Sequence, residues 1–317
     1  MSPCWGRGLK VLITGASGFI GRNVLRACPR SWDVVATWHR SEDFPSFLEA
    51  HGLSHVLGFR CDLRTADGAE ALAEFVGGRA DAVLHLVSSG NPAWSEAHPA
   101  EELCFTAVPL ARLCERVATE RLVFVSSGAV YEGLTGEVKP GLPLHPTLPY
   151  AVAKLAAERL VEFFRQRGRL GSDVIARLMG AYGPYEAPRK IYTRLVEAFG
   201  VRRERRFELR GDGQNWIDAM YVDDAVRGLL AMLTGAPSDL TLDFGVGAPL
   251  TLDELVRAAA RTFGIDDVEI VHTGAVAEHH RFHVSAGRVA ELYGFRPQVS
   301  LEEGLRRLHR WIVERRE

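Results

Sequence analysis

A short apolar run followed by three evenly spaced glycines constrains the fold of this chain more than any other feature. Residues 10–14, KVLIT, have the composition of a buried strand, and GASGFIG follows them directly. Glycines at this spacing let the backbone turn into a helix and approach a pyrophosphate, which then lies at the helix N-terminus. A glycine triplet alone is weak evidence, but one directly after a strand predicts a dinucleotide site. The residues that we assign to this loop are Gly15, Ser17, Gly18, Phe19, Ile20 and Gly21.

Strands and helices alternate through the first part of the chain. Apolar runs predict further buried strands at 34–38, 56–60, 82–87, 122–126 and 174–178, and helical spacing marks 19–28, 66–76, 101–118 and 150–167. With right-handed crossovers, this alternation predicts a doubly wound parallel sheet, the Rossmann α/β architecture, over residues 1–180.

The alternation loosens after residue 182. We expect residues 181–317 to form mainly a smaller C-terminal, substrate-binding lobe, with some segments returning to the Rossmann domain. Two helices are well marked there, at 251–263 and 300–315. Each opens with a capping-box sequence, TxxE or SxxE.

Composition argues against several classes of function. A net charge of −2 over 317 residues gives no general attraction to nucleic acid or to an anionic membrane. No apolar run is long enough to span a bilayer, and no signal-peptide core precedes the first strand. The five cysteines form no CxxC pair, which favours a reduced, cytoplasmic protein. His279, His280 and His283 lie close together, but no carboxylate or cysteine has suitable spacing, so we predict no metal site.

The stretch VVATWHRS ends the second predicted strand, where a dinucleotide-binding fold reads the ribose 2′ position. An NAD-binding fold commonly carries Asp or Glu there. This chain instead carries His39, Arg40 and Ser41. Arg40 can pair with a 2′-phosphate, and His39 or Ser41 can add a hydrogen bond. The stretch therefore favours NADP(H), with NAD(H) as the alternative. The competing interpretation of Arg40 is an exposed side chain at a strand end.

Other strand ends supply further candidates, because ligands of such sheets bind outside the carboxyl ends of the strands. Asp62 either accepts a hydrogen bond from the adenine amino group or caps the helix that follows it. His85 lies inside an apolar run and is predicted to be a packed core residue. The other cofactor candidates at strand ends are Leu63, Leu86, Val87, Ser88 and Leu178, and Ser89 is a candidate for the substrate site.

Two segments carry the predicted chemistry. Ser127 lies at the end of the strand 122–126, and YAVAK begins a helix with Tyr150 and Lys154 one turn apart on the same face. A nearby ammonium lowers the pKa of a tyrosine from about 10, which makes the phenol a usable acid or base near neutrality. The Ser127 hydroxyl can hydrogen-bond the same substrate oxygen. We assign Ser127, Tyr150 and Lys154 as the catalytic set.

The chain resembles a known family at these motifs. TGASGFIG, CDL, HLVSS, SSGAVY, YAVAK, RLMGAYGP and GDGQNWIDAMYVDDA occur in order, and together they resemble the extended short-chain dehydrogenases/reductases. Members act on nucleotide sugars as epimerases, dehydratases and reductases. The resemblance implies that Tyr150 is the acid/base, that Lys154 holds the nicotinamide ribose, and that Ser127 binds the substrate oxygen. It also implies hydride transfer between nicotinamide C4 and a sugar carbon.

The chain departs from the family pattern at the catalytic serine and in the sugar-nucleotide site. Dehydratases carry Asp-Glu directly after the Ser/Thr, whereas Gly128 and Ala129 follow Ser127, so a 4,6-dehydratase is disfavoured. Gly180 stands where many UDP-sugar enzymes have Asn, and Ile217 where they have Arg.

Those departures suggest that the substrate is held differently. We assign Gly128, Gly180, Arg189 and Lys190 to the substrate site, the last two as candidate phosphate ligands or, equally, surface charges. Thr106 stands at a further family position that is usually Asn.

Three hypotheses of function follow. The first is an NADP-dependent ketoreductase of a nucleotide sugar, an NDP-4-keto-6-deoxyhexose being the preferred substrate class. The second is a nucleotide-sugar epimerase that retains its cofactor, and the third is a binding protein that senses the cofactor. The resemblance also implies a homodimer formed through the helices 101–118 and 150–167.

Overall fold

The computed structural model describes residues 8–139, 141–275, 280–285 and 287–316. The strands are β1 Lys10–Thr14, β2 Asp33–Trp38, β3 Val56–Arg60, β4 Arg79–His85, β5 Ala118–Ser127, β6 Thr135–Val138, β7 Asp173–Leu178, β8 Ala181–Tyr182, β9 Arg206–Arg210, β10 Trp216–Ile217, β11 Met220–Tyr221, β12 Leu240–Phe244, β13 Leu250–Thr251, β14 Glu269–Thr273 and β15 Arg281–Val284. The helices are α1 Phe19–Ala27, α2 Phe44–Ala50, α3 Ala66–Val76, α4 Pro92–Ala97, α5 Pro99–Arg116, α6 Pro149–Gln166, α7 Ile191–Leu195, α8 Val222–Thr234, α9 Leu252–Thr262, α10 Gly287–Tyr293 and α11 Leu301–Glu314. A 3₁₀ turn, Gly128–Tyr131, follows β5, and a π-helical segment, Val196–Val201, follows α7.

Seven strands form the main sheet in the order β12-β7-β5-β4-β1-β2-β3. The five pairings from β3 to β7 are all parallel. The inner strands are buried along their length, as expected for a sheet covered by helices on both faces. The predicted doubly wound α/β fold is confirmed. The chain direction across the sheet reverses between β1 and β4, which is the switch point where such folds bind ligands.

The predicted elements of this sheet agree with the structure to within a few residues. The prediction was exact for β1, β3 and α3. It was wrong at the ends of β4, which spans Arg79–His85 rather than 82–87. At its start, β4 includes polar residues, because Arg79 pairs with Ala118 of β5. At its end, β4 stops before Leu86, whose N–H donates to Thr14 O at 3.1 Å. Hydrophobicity alone does not report such pairing.

The chain divides into two compact units. The first comprises residues 1–132, 144–178 and 226–242, and the second comprises 133–143, 179–225 and 243–317. The second unit contains four small two-stranded sheets, β6–β15, β8–β11, β9–β14 and β10–β13. Within the described parts of both units, no helix is long and apolar enough to cross a membrane.

Two helices of the second unit begin as their sequences predict. Thr251 and Glu254 form the complete capping box of α9, with hydrogen bonds in both directions. Ser300 caps α11 by accepting the Glu303 N–H, but the Glu303 carboxylate pairs with Arg307 on the next turn. Of the two hydrogen bonds of the predicted capping box at α11, the structure has only the one that Ser300 accepts; the Glu303 side chain forms an (i, i+4) ion pair with Arg307 instead.

In the sequence, Asp223 and Asp224 predict N-terminal caps of α8 with a favourable helix-dipole interaction. Both lie in the first turn of α8, as the dipole interaction requires, but the helix begins at Val222, so neither is its N-cap. The Asp224 carboxylate is buried and accepts the N–H groups of Gln298 and Val299, both at 2.9 Å. It fixes the segment that leads into α11, a long-range role that the local sequence does not reveal.

Candidate active site

The glycine loop makes a close backbone turn between β1 and α1. Gly15 has φ +72°, and a Cβ there would lie 3.0 Å from Val87 N, so only glycine fits. Gly21 packs on Ala16, where a Cβ would meet the Ala16 Cα at 2.6 Å. Gly18 precedes α1 without a side-chain cap, which leaves the N–H groups of the first turn available to an anion.

A cavity of about 260 Å³ lies beside this loop at the carboxyl ends of the strands. Eleven of the predicted cofactor residues line it: Gly15, Ser17, Gly18, His39, Arg40, Ser41, Asp62, Leu63, Leu86, Val87 and Ser88. Six others do not: Phe19, Ile20, Gly21, Tyr150, Lys154 and Leu178. Gly21 acts through packing, and Phe19 and Ile20 are half-buried in the first turn of α1. Leu178 is the half-buried last residue of β7.

Arg40 and Arg64 flank one aromatic ring at the β2 end of this cavity. The Arg40 guanidinium carbon lies 5.4 Å from the Phe105 ring centroid, and that of Arg64 lies 4.5 Å from it. Arg40 is exposed, and among the described residues it has no ion-pair partner. Ser41 Oγ lies 3.1 Å from Ser17 Oγ, which ties this corner to the glycine loop. The corner is thus cationic and provides hydroxyl groups.

Asp62 is the one carboxylate among the described residues that line the cavity, and its charge is compensated. Hydrogen bonds from Arg64 lower the pKa of Asp62 to about 2. His39 Nε2 lies 3.7 Å from the same carboxylate. The alternative role of Asp62 as the cap of α3 is wrong, because Thr65 caps that helix by accepting the Gly68 N–H.

Six lining residues escaped the sequence prediction: Thr37, Trp38, Cys61, Arg64, Phe105 and Pro109. A signal existed for Arg64, which follows the carboxyl end of β3 by a few residues. Phe105 and Pro109 lie on α5, far along the chain from the glycine loop, and only the packing of that helix brings them to the cavity.

Ser127, Tyr150 and Lys154 come together at the carboxyl end of β5. The side chains of Ser127 and Ser88 lie near the Tyr150 phenol and lower its pKa. Ser127 accepts the Ala129 N–H at 3.1 Å, which leaves its hydroxyl proton free to donate. The Lys154 ammonium lies 6.0 Å from the Tyr150 ring centroid and donates to Val125 O at 2.8 Å. The arrangement can donate a proton and a second hydrogen bond to one substrate oxygen.

Burial dominates the titration of these groups. It raises the pKa of Tyr150, and the negative charge of Glu102 adds to this, while the nearby side chains of Ser127 and Ser88 oppose it. Burial lowers the pKa of Lys154 to about 8, against the opposing effect of Glu102 and Glu158. Burial and the Lys154 charge together lower the pKa of His85 to about 3, so this core histidine is neutral. His85 is fully buried, which confirms its predicted place in the core.

Buried polar contacts fix α6 and so position Tyr150 and Lys154. The Glu158 carboxylate accepts the Ser126 hydroxyl at 2.5 Å and a bidentate pair of bonds from Arg177. Arg177 also donates to the Tyr131 hydroxyl at 2.8 Å. At the start of α6, the fully buried Ser95 hydroxyl accepts the Tyr150 N–H at 3.1 Å. Ser95 had no local sequence signal, since α4 brings it to this site.

The predicted substrate residues fall in both units. Ser89 follows β4 and accepts the Asn91 N–H, and Gly128 is buried in the 3₁₀ turn after Ser127. In the second unit, a Cβ on Gly180 would lie 2.9 Å from Asp218 O, so packing excludes the family's Asn at this position. Arg189 and Lys190 precede α7.

The sequence predicts no metal site at the cluster of His279, His280 and His283. Of these three, His279 lies outside the residues that the structure describes. His280 and His283 belong to the segment at β15, where the His283 ring lies 5.9 Å from the Trp216 ring. Within the described ranges, no three His, Cys, Asp or Glu side chains form a group that could hold a metal ion.

Comparisons with known proteins identify the family of this chain and relatives of the same fold. The model of the family described as "NAD dependent epimerase/dehydratase family" matches residues 11–243. A UDP-glucose 4-epimerase of Mycolicibacterium smegmatis is 28% identical over 306 residues, which cover 94% of this chain and 96% of the relative. The structure of MoeE5 in complex with UDP-glucose and NAD is 27% identical, with a TM-score of 0.81 and coverage of 97% of this chain and 100% of that one. DesIV, a dTDP-glucose 4,6-dehydratase from Streptomyces venezuelae with NAD bound, is 26% identical, with a TM-score of 0.84 and coverage of 97% and 98%.

Proposed function

Because the chain belongs to the NAD-dependent epimerase/dehydratase family, we propose that it is an NADP-dependent ketoreductase of a nucleotide sugar. The preferred substrate class is an NDP-4-keto-6-deoxyhexose. The observation that carries the proposal is the cationic corner formed by Arg40 and Arg64, where Asp62, the one carboxylate among the described lining residues, is already paired with Arg64.

The corner fits a 2′-phosphate for electrostatic reasons. A free carboxylate at the end of β2 would repel a phosphate dianion and accept hydrogen bonds from a ribose 2′-hydroxyl. Here the unpaired exposed side chain is a guanidinium, which suits phosphate through bidentate, charge-assisted hydrogen bonds. Ser17, Gly18 and the first turn of α1 would receive the pyrophosphate. NADPH bound in this way would supply the hydride.

The chain's own residues supply the proton and hold the reacting oxygen. The substrate ketone oxygen becomes an alkoxide as hydride arrives at its carbon. Tyr150 donates its phenolic proton to that oxygen, and Ser127 donates a hydrogen bond that fixes its position. Lys154 would hold the nicotinamide ribose, and its positive charge favours the phenolate left behind on Tyr150.

The residues after Ser127 argue against dehydration. Elimination of water from the sugar needs an acid and a base beside the reacting carbons. Gly128 and Ala129 occupy the first turn after Ser127 and carry no titratable group. The Asp-Glu pair that the family resemblance implies for dehydratases is therefore replaced here by residues that cannot do this chemistry.

The substrate's diphosphate would be held by residues that differ from the family pattern. We propose Arg189 and Lys190 as its ligands, with Gly180 of the same unit as a further substrate contact. Arg202 and Arg205 are less suited to this role, because they already pair with acidic residues in the second unit.

A nucleotide-sugar epimerase is the second candidate. The similarity to a UDP-glucose 4-epimerase over nearly the whole chain, and to a structure with UDP-glucose and NAD bound, favours it. An epimerase oxidises and re-reduces one carbon, so it uses the same catalytic set without net consumption of cofactor.

One experiment separates the two candidates. Purified protein is incubated with a panel of NDP-4-keto-6-deoxyhexoses and NDP-hexoses, with NADPH or NADH, and followed at the nicotinamide absorbance and by product analysis. We expect one NADPH consumed per ketone reduced, and loss of turnover in Tyr150→Phe. Interconversion of NDP-hexose epimers with no net change in cofactor would contradict the ketoreductase and establish the epimerase.

A further inference from the structure

One aromatic ring on α5 contacts both arginines of the cationic corner. The Arg40 guanidinium carbon, beyond the end of β2, lies 5.4 Å from the Phe105 ring centroid, and that of Arg64, beyond the end of β3, lies 4.5 Å from it. All three side chains line the cavity beside the glycine loop. Cations within about 6 Å of a ring centroid are attracted to the ring. The Phe105 ring therefore holds together two cations that repel each other.

The Phe105 ring is itself fixed by its neighbours. Trp94 of α4 packs against it edge to face, with the ring centroids 5.5 Å apart and an interplanar angle of 83°. The Trp94 indole in turn stacks on the His98 ring, with centroids 4.5 Å apart. Edge-to-face pairs favour one relative orientation of the two rings. Phe105 also belongs to the long helix α5, so both its backbone and its ring give the arginines a rigid support.

The two arginines differ in what else holds them. Arg64 donates from Nε and Nη2 to both carboxylate oxygens of Asp62, at 2.6 to 3.2 Å. Arg40 is exposed and has no hydrogen-bond or ion-pair partner among the described residues, and its one ring contact there is with Phe105. An arginine side chain that a ligand must first immobilise loses rotamer freedom, which weakens binding. The ring therefore matters most for Arg40.

Both guanidiniums keep donors for an anion. Asp62 occupies the Nε side of Arg64 and one Nη2 proton, so the protons on Arg64 Nη1 have no acceptor within the described ranges. The same holds for every N–H group of Arg40. Phosphate oxygens accept paired, charge-assisted hydrogen bonds from such groups. The corner thus has two cations with spare donors on one aromatic support.

We propose that Phe105 is a positioning residue for cofactor selectivity: its ring places the Arg40 guanidinium beside Arg64, so that both receive the 2′-phosphate of NADP(H). This inference deepens the proposed use of NADP(H) and rests on it. Phe105 carries no charge and forms no hydrogen bond with a phosphate, so its effect passes through Arg40. NAD(H), which has a hydroxyl in place of the phosphate, gains nothing from this arrangement.

A second role of the Phe105 ring makes a different prediction. Because the ring lines the cavity, it could instead contact the adenosine, which NADP(H) and NAD(H) share. Contact with adenosine strengthens the binding of both cofactors equally. Positioning of Arg40 strengthens only the binding of ligands that carry the 2′-phosphate. A comparison of ligands with and without that phosphate therefore separates the two roles.

Adenosine 2′,5′-bisphosphate and adenosine 5′-monophosphate differ only in the 2′-phosphate and require no turnover. The Kd of each is measured by calorimetric titration into the purified protein at one salt concentration, and the ratio of the two values is the discrimination. We expect Phe105→Leu, which keeps an apolar side chain and both charges, to lower the discrimination roughly two- to fivefold through weaker binding of the bisphosphate. Phe105→Tyr keeps the ring and should retain the discrimination of the wild type.

Two further variants control this measurement. The Arg167 guanidinium carbon lies 5.1 Å from the Phe163 ring centroid on α6, and neither residue lines the cavity. Phe163→Leu therefore removes an arginine–ring contact of the same kind and should leave both Kd values unchanged. In the Arg40→Ala background, Phe105→Leu should cause no further loss of discrimination, because two substitutions that act through one group are not additive.

Two results would overturn the inference alone. An equal loss of affinity for both ligands in Phe105→Leu would make the ring a contact for adenosine. An undiminished loss of discrimination by Phe105→Leu in the Arg40→Ala background would show that the ring does not act through Arg40.

Turnover with a keto-sugar separates this inference from the proposed function. If the variants behave as expected but the wild type reduces no ketone with NADPH, the ketoreductase fails and the role of Phe105 stands. If the wild type reduces a ketone but binds the bisphosphate no more tightly than the monophosphate, the role of Phe105 fails and the reductase chemistry stands.

Discussion

Replacement of Arg40 by Ala should weaken NADP(H) binding selectively. Arg40 lines the cavity at the end of β2 and lies over the Phe105 ring, and the structure describes no acidic partner for it. A guanidinium without a partner beside a 2′-phosphate would form charge-assisted hydrogen bonds that NAD(H), which lacks the phosphate, cannot form. The variant should therefore lose affinity for one cofactor and not for the other.

The magnitude follows from the exposure of Arg40. A hydrogen bond to a charged group contributes about 1.5–3 kcal/mol, and the exposed position of Arg40 places it at the lower end. About 1.5 kcal/mol corresponds to a roughly tenfold rise in the Kd for NADP⁺. Arg64 remains in the corner and retains part of the attraction, and screening should make the effect smaller at high salt.

The assay is calorimetric titration of NADP⁺ and NAD⁺ into the wild type and three variants. Arg40→Ala is the perturbation, and Arg40→Lys retains the charge without the bidentate geometry, so its loss should be smaller. Arg26→Ala removes an equal charge from the exposed last turn of α1, outside the cavity, and should leave both affinities unchanged.

Two outcomes would refute the reasoning about Arg40. An equal loss of affinity for NADP⁺ and NAD⁺ would show that Arg40 supports the cavity wall and not a 2′-phosphate. A wild type that binds NAD⁺ more tightly than NADP⁺ would show that the paired Asp62, or another group, reads the ribose hydroxyl. The reductase proposal would then lose its main support.

Three further predictions concern stability and assembly. Burial lowers the pKa of His85 from 6.5 to about 3. Between these two values the unfolded chain binds a proton that the folded protein excludes, so neutral His85 costs the folded state stability as the pH falls from 6.5 towards 3. Its contribution to the unfolding free energy should fall by roughly 1.4 kcal/mol per pH unit over that window, and denaturant titrations of His85→Gln should show a correspondingly flatter pH dependence. Asp224→Ala removes the carboxylate that accepts the Gln298 and Val299 N–H groups and should lower the unfolding free energy by about 1.5–3 kcal/mol, against less than about 0.5 kcal/mol for the exposed Asp223→Ala; equal effects would be inconsistent with the observed hydrogen bonds. Phe163 is 46% exposed on α6, and if α5 and α6 form a dimer interface, Phe163→Glu should yield monomers in sedimentation velocity, where a monomeric wild type would refute the dimer.

The central sheet could be predicted from sequence because its signals are local. Each inner strand is buried on both faces, so apolar runs mark β1, β2, β4, β5 and β7 directly, and the glycines show where β1 turns into α1. The short strands of the second unit carry no such signal. Strand β6, TGEV, is largely exposed and becomes a strand only by pairing with β15, far along the chain. Pairing partners at such separations are set by tertiary packing.

For the candidate site, local spacing sufficed wherever one element carried two functional groups. Tyr150 and Lys154 share a helix face because they are four residues apart, and Ser127 follows a strand whose end could be located. Spacing could not decide whether Asp62 caps a helix or faces the cavity, because Asp62 and Thr65 are both cap-forming residues just before α3. The structure shows that Thr65 is the cap and that Asp62 pairs with Arg64.

The sequence by itself determined the doubly wound fold, the turn that approaches a dinucleotide, and the identity of the groups able to transfer a proton. These depend on backbone geometry within one or two elements, which glycine spacing, apolar runs and helical periodicity encode directly. Only the tertiary structure decided which charges face one another: Arg40 and Arg64 around Phe105, and Glu158 of α6 against Arg177 of β7. Electrostatic contacts of this kind join elements far apart in the chain, and their strength depends on burial that no local pattern specifies.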